Sequence, residues 1–159
     1  MLISRDIGSW FFLGAILTTA ELLYDSPFEF EHCGTCTRCL DACPTNAFPK
    51  PHVLDANKCI SYLTIERRDK TVSEELRSAI GDWVFGCDIC QDVCPWNNKA
   101  ALTTIDEFFP DPRNNPLNIE ELFKMDEDAF RKRFRKTPMW RTKPAGLRRN
   151  AEIVRKNEQ

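Results

Sequence analysis

The sequence predicts an α+β chain organised around a central cysteine module, and three observations carry that expectation. All eight cysteines fall between residues 33 and 94, most of them in two short runs that each end in Cys-Pro. An apolar stretch over residues 8–20, GSWFFLGAILTTA, precedes them and reads as a buried strand followed by a short helix or loop. Apolar residues at helical spacing follow them toward the C-terminus.

The 159 residues suffice for one domain or two small ones, and 42% hydrophobic with 29% charged residues is the balance of a soluble globular protein. A net charge of −2 points to no partner class by itself, but the charge is unevenly placed. Between Arg131 and Lys156 stand eleven Lys or Arg residues and one acid, Glu152, whereas Asp106 to Asp128 holds eight acids and two basic residues. The apolar 8–20 stretch is too short to span a bilayer. Its flank carries Arg5 cancelled by Asp6, and no small-x-small cleavage site follows before Glu21, so it does not read as an export signal. A cytoplasmic monomer with no membrane association is expected.

Taken in order, residues 1–24 are apolar and need a larger core than the chain supplies around them. Residues 25–100 hold every cysteine and the turn signals Cys33-Gly34, Cys43-Pro44, Pro49-Lys-Pro51 and Cys94-Pro95. Within them a helix is predicted from Val72 to Val84, with Ser73 as N-cap and Leu76, Ile80 and Val84 along one face. Residues 101–118 are rich in Pro and Asn and read as a surface loop. Two helices should follow. Glu127 to Arg135 places Phe130 and Phe134 on one face, and Ala145 to Lys156 places Leu147, Ala151 and Val154 on one face.

The first cysteine run, Cys33-x2-Cys36-x2-Cys39-x3-Cys43-Pro44, has the bacterial ferredoxin spacing. Two-residue gaps let one tight loop offer three sulfurs to one face of a cubane cluster, while the fourth cysteine points away and ligates the other cluster. The second run, Cys87-x2-Cys90-x3-Cys94-Pro95, lacks a cysteine three residues before Cys87, where Val84 stands. Cys59 is the one unassigned thiol and can fill that vacancy. The crossover rule then gives two sets of four with none left over. Cys33, Cys36, Cys39 and Cys94 hold one [4Fe–4S] cluster, and Cys43, Cys59, Cys87 and Cys90 hold the other. Zinc would also accept two sets of four thiolates, but zinc sites rarely interleave two Cys-Pro endings. Disulfides usually join distant segments rather than clustered cysteines. His32 adjoins Cys33 but is surplus to a filled set, and reads as a solvated loop histidine.

Several segments closely resemble the epoxyqueuosine reductase family. They are Gly8-Ser-Trp-Phe-Phe-Leu-Gly14, His32-Cys33-Gly-Thr-Cys36, Cys43-Pro-Thr-Asn-Ala47, Cys59-Ile-Ser-Tyr-Leu-Thr-Ile-Glu66, and Gly86-Cys87-Asp-Ile-Cys90-Gln-Asp-Val-Cys94-Pro-Trp-Asn97. Trp140 to Ala151 resembles the start of that family's helical-repeat domain. The resemblance implies a fold that is α+β: a dicluster ferredoxin-like module, a remnant of an α/β cobalamin-binding domain, and a short helical C-terminal extension. The implied domains are a cobalamin-domain remnant over 1–24, the dicluster domain over 25–100, a linker with short helices over 101–137, and the start of a HEAT-like repeat domain over 138–159.

It further implies the iron–sulfur electron-relay portion of a cobalamin-dependent oxidoreductase that reduces epoxyqueuosine to queuosine in tRNA. The chain would be a fragment without most of the N-terminal cobalamin domain and most of the C-terminal repeats. No catalytic residue is then expected here, since the family's proton-donor aspartate belongs to the N-terminal part. Ser61 and Gly86 are the candidates for approach to the corrin, with turn hydroxyl and turn glycine as their ordinary roles. Trp10, Phe11 and Phe12 could wall a pocket, but core packing suits an aromatic run in a strand, and Trp83 and Trp96 read as packing residues too. The implied partners are tRNA carrying epoxyqueuosine and an external electron donor. Rival readings are a free-standing two-[4Fe–4S] ferredoxin-type carrier, a reductive-dehalogenase-like enzyme, and a nucleic-acid-binding module with structural clusters.

Overall fold

Helix-forming signals in this sequence are short, and so are the helices they make, with one exception at the C-terminus. The structure, a computed structural model, describes residues 1–29, 31–68 and 71–158. Its helices are α1 (Arg38–Asp41), α2 (Ile60–Ile65), α3 (Glu74–Ile80), α4 (Ile89–Asp92), α5 (Ile119–Lys124), α6 (Glu127–Phe134) and α7 (Lys143–Asn157). Side-chain caps start three of them by satisfying N–H groups that a helix leaves open. The Ser73 hydroxyl accepts from Leu76 N–H at 3.4 Å, Asn118 accepts from Glu120 N–H at 3.0 Å, and Asp126 accepts from Ala129 N–H at 2.7 Å.

The predicted helix over 72–84 stops earlier, at Ile80. Gly81 takes φ +61°, a left-handed conformation open to glycine, and turns the chain so that Val84 leaves the helix face. Both predicted C-terminal helices form, and Phe130, Phe134, Leu147, Ala151 and Val154 are all buried.

Two apolar clusters make the core. One gathers Ile60, Leu63, Val72, Ile80 and Ile153 beneath the cysteine module, with Trp83 against it as expected. The other gathers Leu122, Phe130, Phe134, Leu147 and Ala151. Helix α7 contributes to both, so it is the element through which the C-terminal helices are joined to the cysteine module.

The sheet component is not found. Among the described residues there is no strand, only isolated bridges between Ser4 and Gly8 and between Lys50 and Val53. The fold of these residues is helix and coil rather than α+β. The apolar N-terminal segment illustrates why. A strand is stable when it is paired and has an apolar layer against one face. Residues 10–24 have neither, and Ile16, Leu17, Leu23 and Tyr24 are at least 94% exposed. Trp10 and Phe12 are exposed rather than packed in a core, Phe12 meeting Phe108 at a ring separation of 5.3 Å. Among the described residues no helix is long and apolar enough to cross a membrane.

Replacing Phe134, fully buried at the centre of the second cluster, by Ala should destabilise the chain by about 3–5 kcal/mol, against about 1 kcal/mol for Ser73→Ala. Urea unfolding followed by far-ultraviolet circular dichroism measures both.

Candidate metal centre

The two cysteine runs fold into the same local shape. In the first, Thr37 (φ −116°, ψ 7°) leads into α1, and the Leu40 and Asp41 N–H groups both donate to its carbonyl, at 2.8 and 3.0 Å. In the second, Asp88 (φ −115°, ψ 9°) leads into α4, and Gln91 and Asp92 donate to its carbonyl at 2.8 and 2.9 Å. Each turn leads into a helix that carries one cysteine, Cys39 in α1 and Cys90 in α4, and delivers the chain to a Cys-Pro end. α1 and α4 lie against each other, so the end of each run faces the start of its counterpart.

A cavity of about 670 Å³ opens on this arrangement. Its thiols are Cys33, Cys36 and Cys39 of the first run and Cys94 of the second. The remaining lining includes Phe48, Pro51, Val53, Leu54 and Trp96, an apolar wall. His32 lies at its rim, exposed, with its ring 5.4 Å from that of Trp96 and 5.5 Å from that of Phe28.

The thiols of the other predicted set sense one another. Burial pushes the Cys87 thiol up, and nearby Cys59 and Cys43 push it further. Burial raises Cys90 to about 11, helped by Cys87, Cys59 and Cys39. Burial also raises Cys39, with Cys94, Cys33 and Cys36 adding to it. Two thiol neighbourhoods therefore stand side by side, and the charge of Cys39 is felt at Cys90.

Crowded sulfurs whose charges repel one another are a donor set that a cationic occupant would satisfy. Among the described residues, no three His, Cys, Asp or Glu side chains close around a point where one ion could sit. Sulfurs spread around a cavity fit an occupant with several metal atoms.

Each neighbourhood is braced by a polar network that sequence reasoning missed. At the first, Ser9 donates its N–H to Asn97 Oδ1 at 2.7 Å and its hydroxyl to Gln91 Oε1 at 3.0 Å, and Asn97 Nδ2 donates to the Gln91 carbonyl at 2.8 Å. This seats the N-terminal loop on the chain around Cys94. Gly8, at φ +72°, lies so close that an added Cβ would stand 2.2 Å from Asn97 Oδ1. At the second, the Gly86 N–H donates to Thr64 Oγ1 at 3.0 Å, and Asn150 Nδ2 donates to the carbonyls of Thr64 and Val84 at 2.7 and 2.9 Å. Ser61 lies half-buried in α2 two residues beyond Cys59, and Gly86 (φ +75°) directly precedes Cys87, so both candidates flank this second set. The signals were present in the quoted segments, but a Ser, an Asn or a Thr in a loop gives no sign of its distant partner.

The basic C-terminal stretch divides in two. Arg133 bonds Glu121 at 2.6 Å, Arg141 bonds Glu66 at 2.7 Å, Arg148 donates to the Met125 carbonyl, and Arg149 donates to the Leu63 and Arg67 carbonyls at 2.6 and 3.0 Å. Arg131, Lys132, Arg135 and Lys136 are exposed.

Residues 32–97 match the 4Fe-4S double cluster binding domain. The chain is 49% identical over 152 residues to an epoxyqueuosine reductase of Synechocystis sp., covering 95% of this chain and 52% of that protein. It is 42% identical over 154 residues to the epoxyqueuosine reductase of Cellulophaga algicola, covering 97% and 50%. The chain thus spans about half the length of the curated relatives it matches. Among solved structures, epoxyqueuosine reductase from Streptococcus thermophilus superposes with a TM-score of 0.74 at 29% identity, over 87% of this chain and 36% of that one. An epoxyqueuosine reductase with an epoxyqueuosine-modified tRNA-Tyr stem loop superposes with a TM-score of 0.72 at 36% identity, over 82% and 34%.

In the metal-free chain, Gly8→Ala should unseat the N-terminal loop and speed alkylation of Cys94, which is 5% exposed. The exposed Cys36 serves as the internal reference, and its rate should not change. Mass spectrometry after timed iodoacetamide labelling reads both.

Proposed function

The chain is a relative of the epoxyqueuosine reductases along almost its whole length, and on that premise we propose that it forms the iron–sulfur electron-relay portion of such an enzyme. The observation that carries most weight is the cavity lined by three thiols of the first run and the last thiol of the second. A crossed set of this kind suits two adjacent clusters better than two independent metal knuckles.

In this reading Cys33, Cys36, Cys39 and Cys94 hold one [4Fe–4S] cluster, and Cys43, Cys59, Cys87 and Cys90 hold the other. Clusters held by these residues would supply a route for electrons from an external donor toward a cobalamin. The overall conversion opens the epoxide to an alkene, consuming two electrons and two protons and releasing water. The residues of this chain bind, space and shield the relay. Cys43 Sγ receives the Ala47 N–H at 3.3 Å, the kind of bond that stabilises thiolate charge. Phe48, Val53, Leu54 and Trp96 form the apolar side of the first site. Ser61 and Gly86 face the corrin in this assignment, residues 1–24 are the edge of the cobalamin-binding part, 25–100 the dicluster unit, 101–137 a linker with short helices, and 138–159 the opening of a HEAT-like repeat array. The protein works in the cytoplasm as a monomer.

The RNA partner is a tRNA stem loop carrying epoxyqueuosine, and the exposed basic group Arg131, Lys132, Arg135 and Lys136 is the surface assigned to its phosphates. Contacts of this kind depend on charge and shape, because Phe130 and Phe134 are buried and Trp140 is packed against Phe130 at 5.6 Å. A free-standing carrier would have no use for that surface.

Anaerobic reconstitution should load the chain with about eight irons and eight sulfides, as two four-iron clusters require. Cys94→Ser should damage the cluster held mainly by Cys33, Cys36 and Cys39, not that of its sequence neighbours Cys87 and Cys90. Zinc without sulfide would end the cluster reading.

Affinity for the modified stem loop should fall steeply with salt, and charge reversal at Lys132 and Lys136 should flatten the salt dependence by about one unit of slope per lost phosphate contact. A titration at several salt concentrations tests it, and equal binding by the reversed variant would favour the free-standing carrier.

A further inference from the structure

The two thiol sets are assembled in different ways. In the first, three cysteines share one continuous loop, and the backbone of that loop fixes their spacing. In the second, the place of the local cysteine is taken by Val84, and Cys59 comes from a separate segment. Something other than chain continuity must hold Cys59 in register with Cys87.

Thr64 and Asn150 occupy the place where that could be done. Thr64 is fully buried and Asn150 is 1% exposed. The Thr64 hydroxyl donates to the Ile60 carbonyl at 2.8 Å and accepts the Gly86 N–H at 3.0 Å, so the helix that begins at Cys59 is bonded to the turn that precedes Cys87. In the same helix the Leu63 N–H donates to the Cys59 carbonyl at 2.9 Å. Asn150 then joins the two segments from α7, giving one amide hydrogen to Thr64 O and the other to Val84 O. Its second bond thus falls on the residue that stands where the local cysteine is missing.

We propose that Thr64 and Asn150 are positioning residues for the second cluster: they set the distance between Cys59 and Cys87 and keep the Gly86 N–H engaged away from the cluster sulfurs. The proposal rests on the ligand sets given above. Without the Thr64 hydroxyl, the Gly86 N–H is free to turn toward sulfur, and N–H···S bonds alter a cluster's potential. Gly86 itself has open space beside it, so its φ of +75° is held by this bond and by the absence of a side chain rather than by crowding.

The test uses the full chain, reconstituted anaerobically. Thr64→Val removes the hydroxyl at nearly constant volume, Thr64→Ser restores it, and Asn150→Ala removes both N–H donors without burying a carboxylate against the Thr64 and Val84 carbonyls. Electron paramagnetic resonance of the reduced chain, chelator-driven iron loss and helicity are read together, with Cys59→Ser and Cys94→Ser marking which signal belongs to which cluster. Thr64→Val and Asn150→Ala should shift the Cys59-dependent signal and speed its iron loss about tenfold, the scale on which partners of metal ligands act. In Thr64→Val the Cys94-dependent signal and the helicity should stay unchanged, and Thr64→Ser should behave as the unsubstituted chain. Unchanged signals in Thr64→Val, or equal damage to both clusters with loss of helicity, would overturn the proposal. Failure of the ligand reading is seen separately, as metal without sulfide in the unsubstituted chain.

Discussion

The side-chain amide of Asn150, buried on α7, gives its two hydrogens to the carbonyls of Thr64 and Val84. The Thr64 carbonyl lies in the last turn of α2 and the Val84 carbonyl in the bend before Gly86, and a backbone acceptor left without an intrahelical partner is costly to bury unpaired. One residue of the C-terminal helix therefore satisfies both, and in doing so fixes the angle at which α7 lies across the cysteine module. Arg149 adds bonds to the Leu63 and Arg67 carbonyls. Asn157, further along the same helix, takes the Arg77 and Gly81 carbonyls at the end of α3. Helix α7 works as a rail along which the open carbonyls of the shorter helices are collected.

Short helices need this. One-turn elements such as α1 and α4 have almost no stability of their own, since nucleation costs more than a single turn returns. Their shape is imposed by the cysteine spacing and by neighbours. The close match of Thr37 and Asp88 in backbone angles shows how strongly a x2-x3-Pro spacing dictates one conformation. The neighbours differ at each run. Ser9, Asn97 and Gln91 brace the chain around Cys94, whereas Thr64 and Asn150 brace the chain before Cys87.

Local patterns were legible in the sequence and long-range ones were not. The Ser73 cap and the faces of α6 and α7 follow from spacing over a few residues. The strand expected in the apolar segment before residue 24 does not form, in keeping with the expectation that the segment needs a larger core than these residues supply. An apolar run becomes a strand when another strand and a facing layer receive it, and neither is encoded in the run itself. The end of α3 was missed for a smaller reason: the four-residue repeat of Leu76, Ile80 and Val84 continues through Gly81, whose backbone does not.

The basic stretch shows how a charge count misleads when side-chain partners are unknown. Eleven cations in the stretch from Arg131 to Lys156 suggest a broad electropositive face. Folding gives several of them other roles. Arg133 and Arg141 are paired with Glu121 and Glu66, Arg148 and Arg149 cap carbonyls, and Arg155 and Lys143 lie over the rings of Phe123 and Trp140. An arginine bonded to a backbone carbonyl keeps its charge, but it cannot swing toward a phosphate without exposing an unpaired acceptor. The exposed cations that stand together are those on α6 and just beyond it, Arg131, Lys132, Arg135 and Lys136, while Lys156 is exposed near the end of α7. They follow the acidic first turn of that helix, Glu127 and Asp128, so the helix has an acidic start and a basic end aligned with its own dipole. That alignment stabilises α6 in the absence of any ligand, and it gathers four exposed cations at one end of one helix. A phosphate backbone would meet that compact group rather than the whole C-terminal surface.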